Sequence, residues 1–244
     1  MKIIGVIPAR YGSERFPGKV LQKIGKQTVL DVCYNNVRKS KVLDRIIIAT
    51  DSEKILKEAK RIGAEAVLTS SECRSGSDRI YEVSQKIDGD IFVNIQADEP
   101  FMPRSAIEKP VSFIIADKSM LCATSATEIR KIEEVYNPNI TKVVFDRNGF
   151  ALYFSASPIP YPRQYPSIEN GFENHVPFYK HIGVYVFRKK FLGIFSDLPV
   201  SFMEKIEKLE QLRILENGYK IKVAVIEEDS ISIDTAEDLK KVNS

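Results

Sequence analysis

Short, continuous apolar runs alternate along this chain with longer segments whose apolar residues recur every three or four positions. KIIGVIPA (residues 2–9) is apolar almost throughout, as a strand covered on both faces must be. TVLDVCYNNVRKS (28–40) has helical spacing, and RIIIATD (45–51) reads as a second buried strand. In SEKILKEAKRIGAE (52–65), Ile55, Leu56, Ala59 and Ile62 share a helix face, Gly63 stops the helix, and Thr50 with Glu53 suggests a capping box. AEAVLT (64–69) and DIFVNIQADEP (90–100) predict further strands, with SDRIYEVSQKI (77–87) as the helix between them. This strand–helix rhythm predicts an α/β fold with a mostly parallel central sheet flanked by helices.

The pattern changes past residue 140. TKVVFDRNGFALYF (141–154) is two β-rich runs joined by Asn148-Gly149, a hairpin signal. Residues 157–177 carry five of the twelve prolines and read as a long loop. HIGVYVF (181–187) predicts a strand, FMEKIEKLEQLRILENG (202–218) one helix ending at Gly218, and KIKVAVIEE (220–228) a late strand. With no repeats and no Gly/Ser linker, the expectation is a single domain over 1–244 with an inserted β-rich lobe at about 140–190.

Lys plus Arg number 36 and Asp plus Glu 33, a net charge of +3, so charge alone argues for neither nucleic acid nor membrane. Cys33, Cys73 and Cys122 are odd in number and lack C-x-x-C spacing, which speaks against a metal cluster and for a reducing compartment. No run approaches a membrane span, and the opening is too poor in apolar residues for a signal peptide, so a cytoplasmic protein is expected.

Any basic function must therefore be local, and IPARYGSERFPGK (7–19) is where the basic residues gather. It misses the Walker A pattern twice: five residues separate Gly12 from Gly18, and Val20 follows Lys19 where a hydroxyl is required. That makes a P-loop kinase improbable. The ingredients for polyphosphate remain. Gly12 and Gly18 let backbone N–H groups approach an anion, Arg10 and Arg15 can fork onto phosphate oxygens, and Lys19 supplies a point charge. The loop follows the first strand and so lies at a carboxyl edge, where open α/β sheets bind ligands. NIQADEP puts Asp98 at the same edge, and a carboxylate there suits Mg²⁺. SISIDTAEDL puts Asp234 at another strand end, where alone it would read as a helix N-cap.

Taken in order, IPARYGSERFPGK, SGSDR, NIQADEP, ALYFS, KHIGVY, LEQLR and IDTAEDL resemble the CMP-Kdo synthetase (3-deoxy-manno-octulosonate cytidylyltransferase) family from residue 3 to about 242. The resemblance implies a Rossmann-like nucleotidyltransferase fold, usually a homodimer. It also implies the reaction of CTP with 3-deoxy-manno-octulosonate (Kdo) to CMP-Kdo and pyrophosphate. By that likeness Arg10, Arg15 and Lys19 hold the triphosphate, with Pro8, Ala9, Gly12 and Ser13 beside them, and Asp98 and Asp234 bind Mg²⁺. Arg74, Ser75, Gly76, Ser77 and Arg79 form the cytosine and ribose wall, while Gln96, His181, Tyr185, Glu210 and Gln211 meet the sugar acid. The partners implied are CTP and an ulosonic acid, and the product serves lipopolysaccharide or a related surface glycan. Two positions depart from the family pattern: Ala97 stands where glycine is usual and Ala156 where arginine is usual. They leave two alternatives beside Kdo: another acidic 2-keto-3-deoxy sugar, or a non-catalytic nucleotide-binding dimer.

Overall fold

The computed structural model describes residues 1–12, 16–73, 75–233 and 235–243. The first strand, β1 (Ile3–Pro8), is followed by a 3-10 turn (Lys19–Leu21) and a two-strand ribbon, β2 (Lys23–Ile24) and β3 (Gln27–Thr28). Then come α1 (Val29–Val37), β4 (Arg45–Thr50), α2 (Glu53–Arg61), β5 (Glu65–Leu68), α3 (Gly76–Lys86) and β6 (Ile91–Asn94). The middle of the chain supplies α4 (Arg104–Ala116), β7 (Cys122–Glu128), α5 (Ile132–Tyr136), β8 (Lys142–Phe145), β9 (Ala151–Ser155) and α6 (Ile168–Glu173). The last third is β10 (Tyr179–Arg188), α7 (Lys189–Asp197), α8 (Phe202–Glu207), α9 (Gln211–Glu216), β11 (Lys222–Ile226) and α10 (Ala236–Asn243).

The main sheet runs in the order β11-β7-β10-β6-β1-β4-β5, and the β8–β9 hairpin joins it through β10. β6, β1, β4 and β5 are parallel, as the strand–helix rhythm predicts, whereas β10 runs antiparallel to both β6 and β7. Both faces are covered. On β1, Ile3 and Ile7 enter one core with α1 and α4, while Ile4 and Val6 enter the other with α3 and α7. That alternation explains why the strand must be apolar at every position.

Three local expectations change. Thr50 and Glu53 do not form a capping box: Thr50 is the buried last residue of β4, and its hydroxyl accepts from the Ser52 amide (3.1 Å) in a tight turn before α2. Residues 157–177 are not all loop, because Ser167 caps α6 with its hydroxyl toward the Asn170 amide. The helix expected over 202–218 is two, α8 and α9, separated at Lys208, whose φ of 56° is left-handed. Arg213 of α9 forks onto Glu204 of α8 (2.5 and 2.8 Å), fixing the bend beyond which Glu210 meets Ser77 of α3.

A left-handed lysine is strained by its Cβ, which glycine lacks. Lys208→Gly is therefore expected to raise stability by about 0.5–1 kcal/mol, read as a higher urea midpoint. A lower midpoint would mean that the bend is held by something other than backbone geometry.

Candidate functional site

β1 and β6 are parallel neighbours, so their carboxyl ends open side by side and the segments leaving them must meet. From β1 the chain passes Pro8 and Ala9, whose amide donates to the Ala49 carbonyl (2.9 Å). Arg10 then donates to the Cys73 carbonyl, tying this loop to the turn before α3. The loop closes where the Gly18 amide reaches the Tyr11 carbonyl (2.8 Å) with φ of 69° at Gly18, a conformation that glycine takes without strain. Lys19 follows at once and pairs with Asp98, just past the end of β6. Both side chains are mostly enclosed, 13 % and 22 % exposed, so the pair is shielded from bulk water.

Around that pair lies a cleft of about 340 Å³. Pro8, Arg10, Gly12, Lys19 and Val20 line it from the loop after β1, Gly76 from the start of α3, and Gln96, Ala97 and Asp98 from the turn after β6. A Cβ on Gly12 would meet no protein atom within 4 Å, so nothing in the fold itself demands glycine there. The Ile233 amide donates to the Asp98 carbonyl (2.8 Å), which brings the start of the IDTAEDL segment to the same edge. Ala97 is buried and belongs to the core cluster that includes β1, α1 and α4.

A second wall is built on a β-bulge. β10 pairs with β7 in register up to Ile182 and resumes at Tyr185, leaving Gly183 and Val184 unopposed. Side chains take up the freed carbonyls: the Thr124 hydroxyl lies 2.6 Å from the Val184 oxygen, and the Gln96 amide donates to the Gly183 oxygen (3.2 Å). A Cβ on Gly183 would stand 3.0 Å from Gln96 Cγ and 2.8 Å from a Glu99 oxygen, so a side chain there would push both aside. His181, before the bulge, packs against Phe154 and Tyr185 and lies 2.8 Å from the Thr124 hydroxyl. Burial lowers its pKa to about 3, so the ring is neutral at physiological pH.

Tyr185 faces Asn94 across the β10–β6 pairing, and both are buried. The Ser77 hydroxyl donates to Glu210 Oε1 (2.8 Å). Burial raises the Glu210 carboxyl above its ordinary range, and burial together with Glu210 pushes the Tyr185 phenol well above its own. Among the described residues, the Tyr185 hydroxyl, the other Glu210 oxygen and both polar atoms of Asn94 are buried without a hydrogen-bond partner. A folded protein rarely leaves so many polar atoms unmet in one neighbourhood.

The sequence-predicted residues thus divide. Arg10, Lys19, Asp98, Gly12, Gly76, Pro8 and Gln96 share the cleft, and Gln96 also joins it to the wall holding His181 and Tyr185. Ser75 caps α3 by accepting from the Asp78 amide (3.2 Å), and Gln211 is buried on α9 beside Glu210. Two residues expected at the nucleotide have buried side chains. Arg79 is fully buried, bonded to Thr69 and to Asp51 (2.8 Å), where it ties α3 to the ends of β4 and β5, and the Ala9 side chain is in the core. Ser13, Arg15, Arg74 and Asp234 fall outside the described residues. Asn94, Thr124 and Gly183 were missed. A polar residue inside the apolar run IFVN was the one available signal for Asn94.

No group of three or more His, Cys, Asp and Glu side chains gathers among the described residues. A hard cation that keeps its waters and phosphate ligands needs only one or two protein carboxylates, and Asp98 offers one on the cleft wall beside fixed cations. The donor set therefore fits a divalent metal carried in with a polyphosphate, and cytidylyltransferases generally use one. Among the described residues no helix is long and apolar enough to cross a membrane, and all three cysteines are free.

Residues 4–221 match the cytidylyltransferase family profile. The 3-deoxy-manno-octulosonate cytidylyltransferase of Thermodesulfovibrio yellowstonii is 43 % identical, covering 98 % of this chain and 96 % of its own. That of Flavobacterium johnsoniae is 44 % identical over 100 % and 98 %. Among solved structures, CMP:2-keto-3-deoxy-manno-octonic acid synthetase complexed with CTP superposes with a TM-score of 0.91 at 34 % identity, over 100 % of this chain and 97 % of that one. The 4-diphosphocytidyl-2C-methyl-D-erythritol synthase of Anaerococcus prevotii, 16 % identical with a TM-score of 0.62 over 99 % of this chain and 95 % of its own, shares the fold alone. This chain belongs to the cytidylyltransferase family, within its 3-deoxy-manno-octulosonate cytidylyltransferase branch.

Proposed function

We propose that this nucleotidyltransferase transfers the CMP moiety of CTP to Kdo, releasing pyrophosphate. The observation that carries the reading is the convergence of Arg10, Lys19 and Asp98 on one cleft that Gln96 joins to the His181–Tyr185 wall. The anomeric 2-hydroxyl oxygen bonds the α-phosphorus as the α–β bridging bond breaks and pyrophosphate leaves, so no enzyme nucleophile is needed. What remains for the protein is positioning and charge stabilisation.

Arg10 grips phosphate oxygens by its fork, and Lys19, already held at the cleft floor, faces the charge that gathers on the α-phosphate. Asp98 and Asp234 would hold Mg²⁺, which when bound neutralises the triphosphate and polarises the attacking oxygen. Arg15 and Ser13 extend the phosphate grip, and Arg74, Ser75, Gly76 and Ser77 enclose the nucleoside. Gln96, His181, Tyr185, Glu210 and Gln211 meet the sugar acid, whose hydroxyls would satisfy the buried polar atoms left unpaired there. Ala156 adds no charge to that wall, and its amide donates to Glu207 (3.0 Å). The protein acts in the cytoplasm and supplies lipopolysaccharide or a related surface glycan.

A homodimer fits an apolar surface on one side of the fold. Phe202 and Ile206, one turn apart on α8, are 71 % and 65 % exposed. Ile206→Glu is expected to convert the dimer to monomer in light scattering. An unchanged mass would place the interface elsewhere.

Asp98→Asn is expected to lower pyrophosphate release from CTP, Mg²⁺ and Kdo by about 10²–10³-fold while leaving the circular dichroism spectrum unchanged. Wild-type turnover would refute the metal assignment. Gly183→Ala, which displaces Gln96 and Glu99, is expected to lower kcat/KM for the sugar acid by about tenfold or more with CTP binding retained. A substrate panel in which Kdo fails and another ulosonic acid turns over would replace the acceptor but keep the reaction class.

A further inference from the structure

Hydrogen counting at the bulge assigns a proton that no side-chain position reveals by itself. The fully buried Thr124 hydroxyl has one hydrogen to donate and three neighbours: the Val184 carbonyl (2.6 Å), the Ile182 carbonyl (3.5 Å) and His181 Nε2 (2.8 Å). The carbonyls can only accept. The Val184 carbonyl lies where the pairing of β10 with β7 breaks, and two oxygens only 2.6 Å apart need a proton between them, which the hydroxyl alone can supply. The hydroxyl proton therefore goes to Val184. The remaining contact, to His181, is a hydrogen bond only if the ring nitrogen is the donor.

We infer that Thr124 is a positioning residue: by giving its proton to the bulge carbonyl it obliges His181 to carry its own proton on Nε2 and to present Nδ1 as an acceptor. Phe154 and Tyr185 pack on the ring at centroid distances of 5.2 and 5.1 Å and hold it against the flip that would put Cε1 in the place of Nε2. His181 keeps part of its surface open to solvent, and Nδ1 is not among the buried unpaired atoms. An acceptor so placed takes a hydrogen bond from a hydroxyl and rejects a carboxylate or phosphate oxygen, which carries no proton to give. This discriminates between the two halves of an anionic sugar: a hydroxyl, not the acid group, lies against His181. The consequence for the sugar rests on the function proposed above, whereas the tautomer itself does not.

The chain has only two histidines, His175 and His181, so long-range nitrogen–proton NMR of histidine-labelled protein resolves both rings. His175→Gln assigns them. In the unmutated protein the expected His181 pattern is a neutral ring with Nε2 protonated and Nδ1 bare, unchanged between about pH 6 and 8. Protonation on Nδ1, or on both nitrogens, overturns the inference with no variant needed. Thr124→Val keeps the volume and removes the hydroxyl. It is expected to give a mixture of tautomers and to raise KM for Kdo by about tenfold with KM for CTP unchanged, while Thr124→Ser restores the wild-type spectrum and KM within about twofold. A Thr124→Val protein that binds CTP normally but keeps both the tautomer and the sugar KM would overturn the role. If the tautomer shifts and the KM for Kdo does not, His181 is not a sugar contact, and the positioning role falls while the proton assignment stands.

Discussion

Lys19 and Asp98 come from segments 79 residues apart, yet they form the ion pair on which the site is built. Neither would be held there by local structure. The pair exists because β1 and β6 are hydrogen-bonded neighbours whose carboxyl ends leave the sheet together. In a mostly enclosed cleft the two charges offset one another, which lets a strong cation and a carboxylate wait where a nucleotide's phosphates would come between them. Arg10, turned aside onto the Cys73 carbonyl, links the same loop to the start of α3. The basic groups of the cleft and the start of α3 are thus one connected assembly.

The His181–Tyr185 wall follows a different rule. It is made by interrupting a strand rather than by ending one. The β10 bulge leaves Gly183 and Val184 out of the ladder, and two side chains from different strands and loops, Thr124 and Gln96, bond the carbonyls it releases. Gln96 belongs to both halves, since it also lines the cleft. A single side chain thereby couples the position of the cleft to that of the His181–Tyr185 wall, a coupling that the proposed in-line transfer between two bound substrates would require.

What could be read in the sequence was what obeys a period or a motif. Continuous apolar runs located β1, β4 and β6 because those strands are covered on both faces, and Asn148-Gly149 located the β8–β9 turn. β7, CATSATE, gave no such signal. It is buried as deeply as β1, but α4 approaches so closely that small residues fill the space, with Ser125 bonding the Ala106 carbonyl (2.9 Å). α4 itself carries Pro110 inside, which reads as a breaker. The single helix expected over 202–218 was wrong because its apolar spacing continues across Lys208 while the backbone does not. Arg79 has the composition of a phosphate ligand and the burial of an internal tie, a difference that only its partners Asp51 and Thr69 disclose. The roles of Asn94, Thr124 and Gly183 depend on cross-strand register, which no spacing within one segment encodes.

The place where a nucleotide sits decides between this cleft and any other site. A crystal structure with CTP and Mn²⁺, recorded with anomalous scattering from the metal, tests this most directly. The expected result is an anomalous peak on the Asp98 carboxylate, with triphosphate oxygens on Arg10 and Lys19 and the base against the start of α3. A nucleotide bound outside this cleft, or a metal peak remote from Asp98, would contradict it.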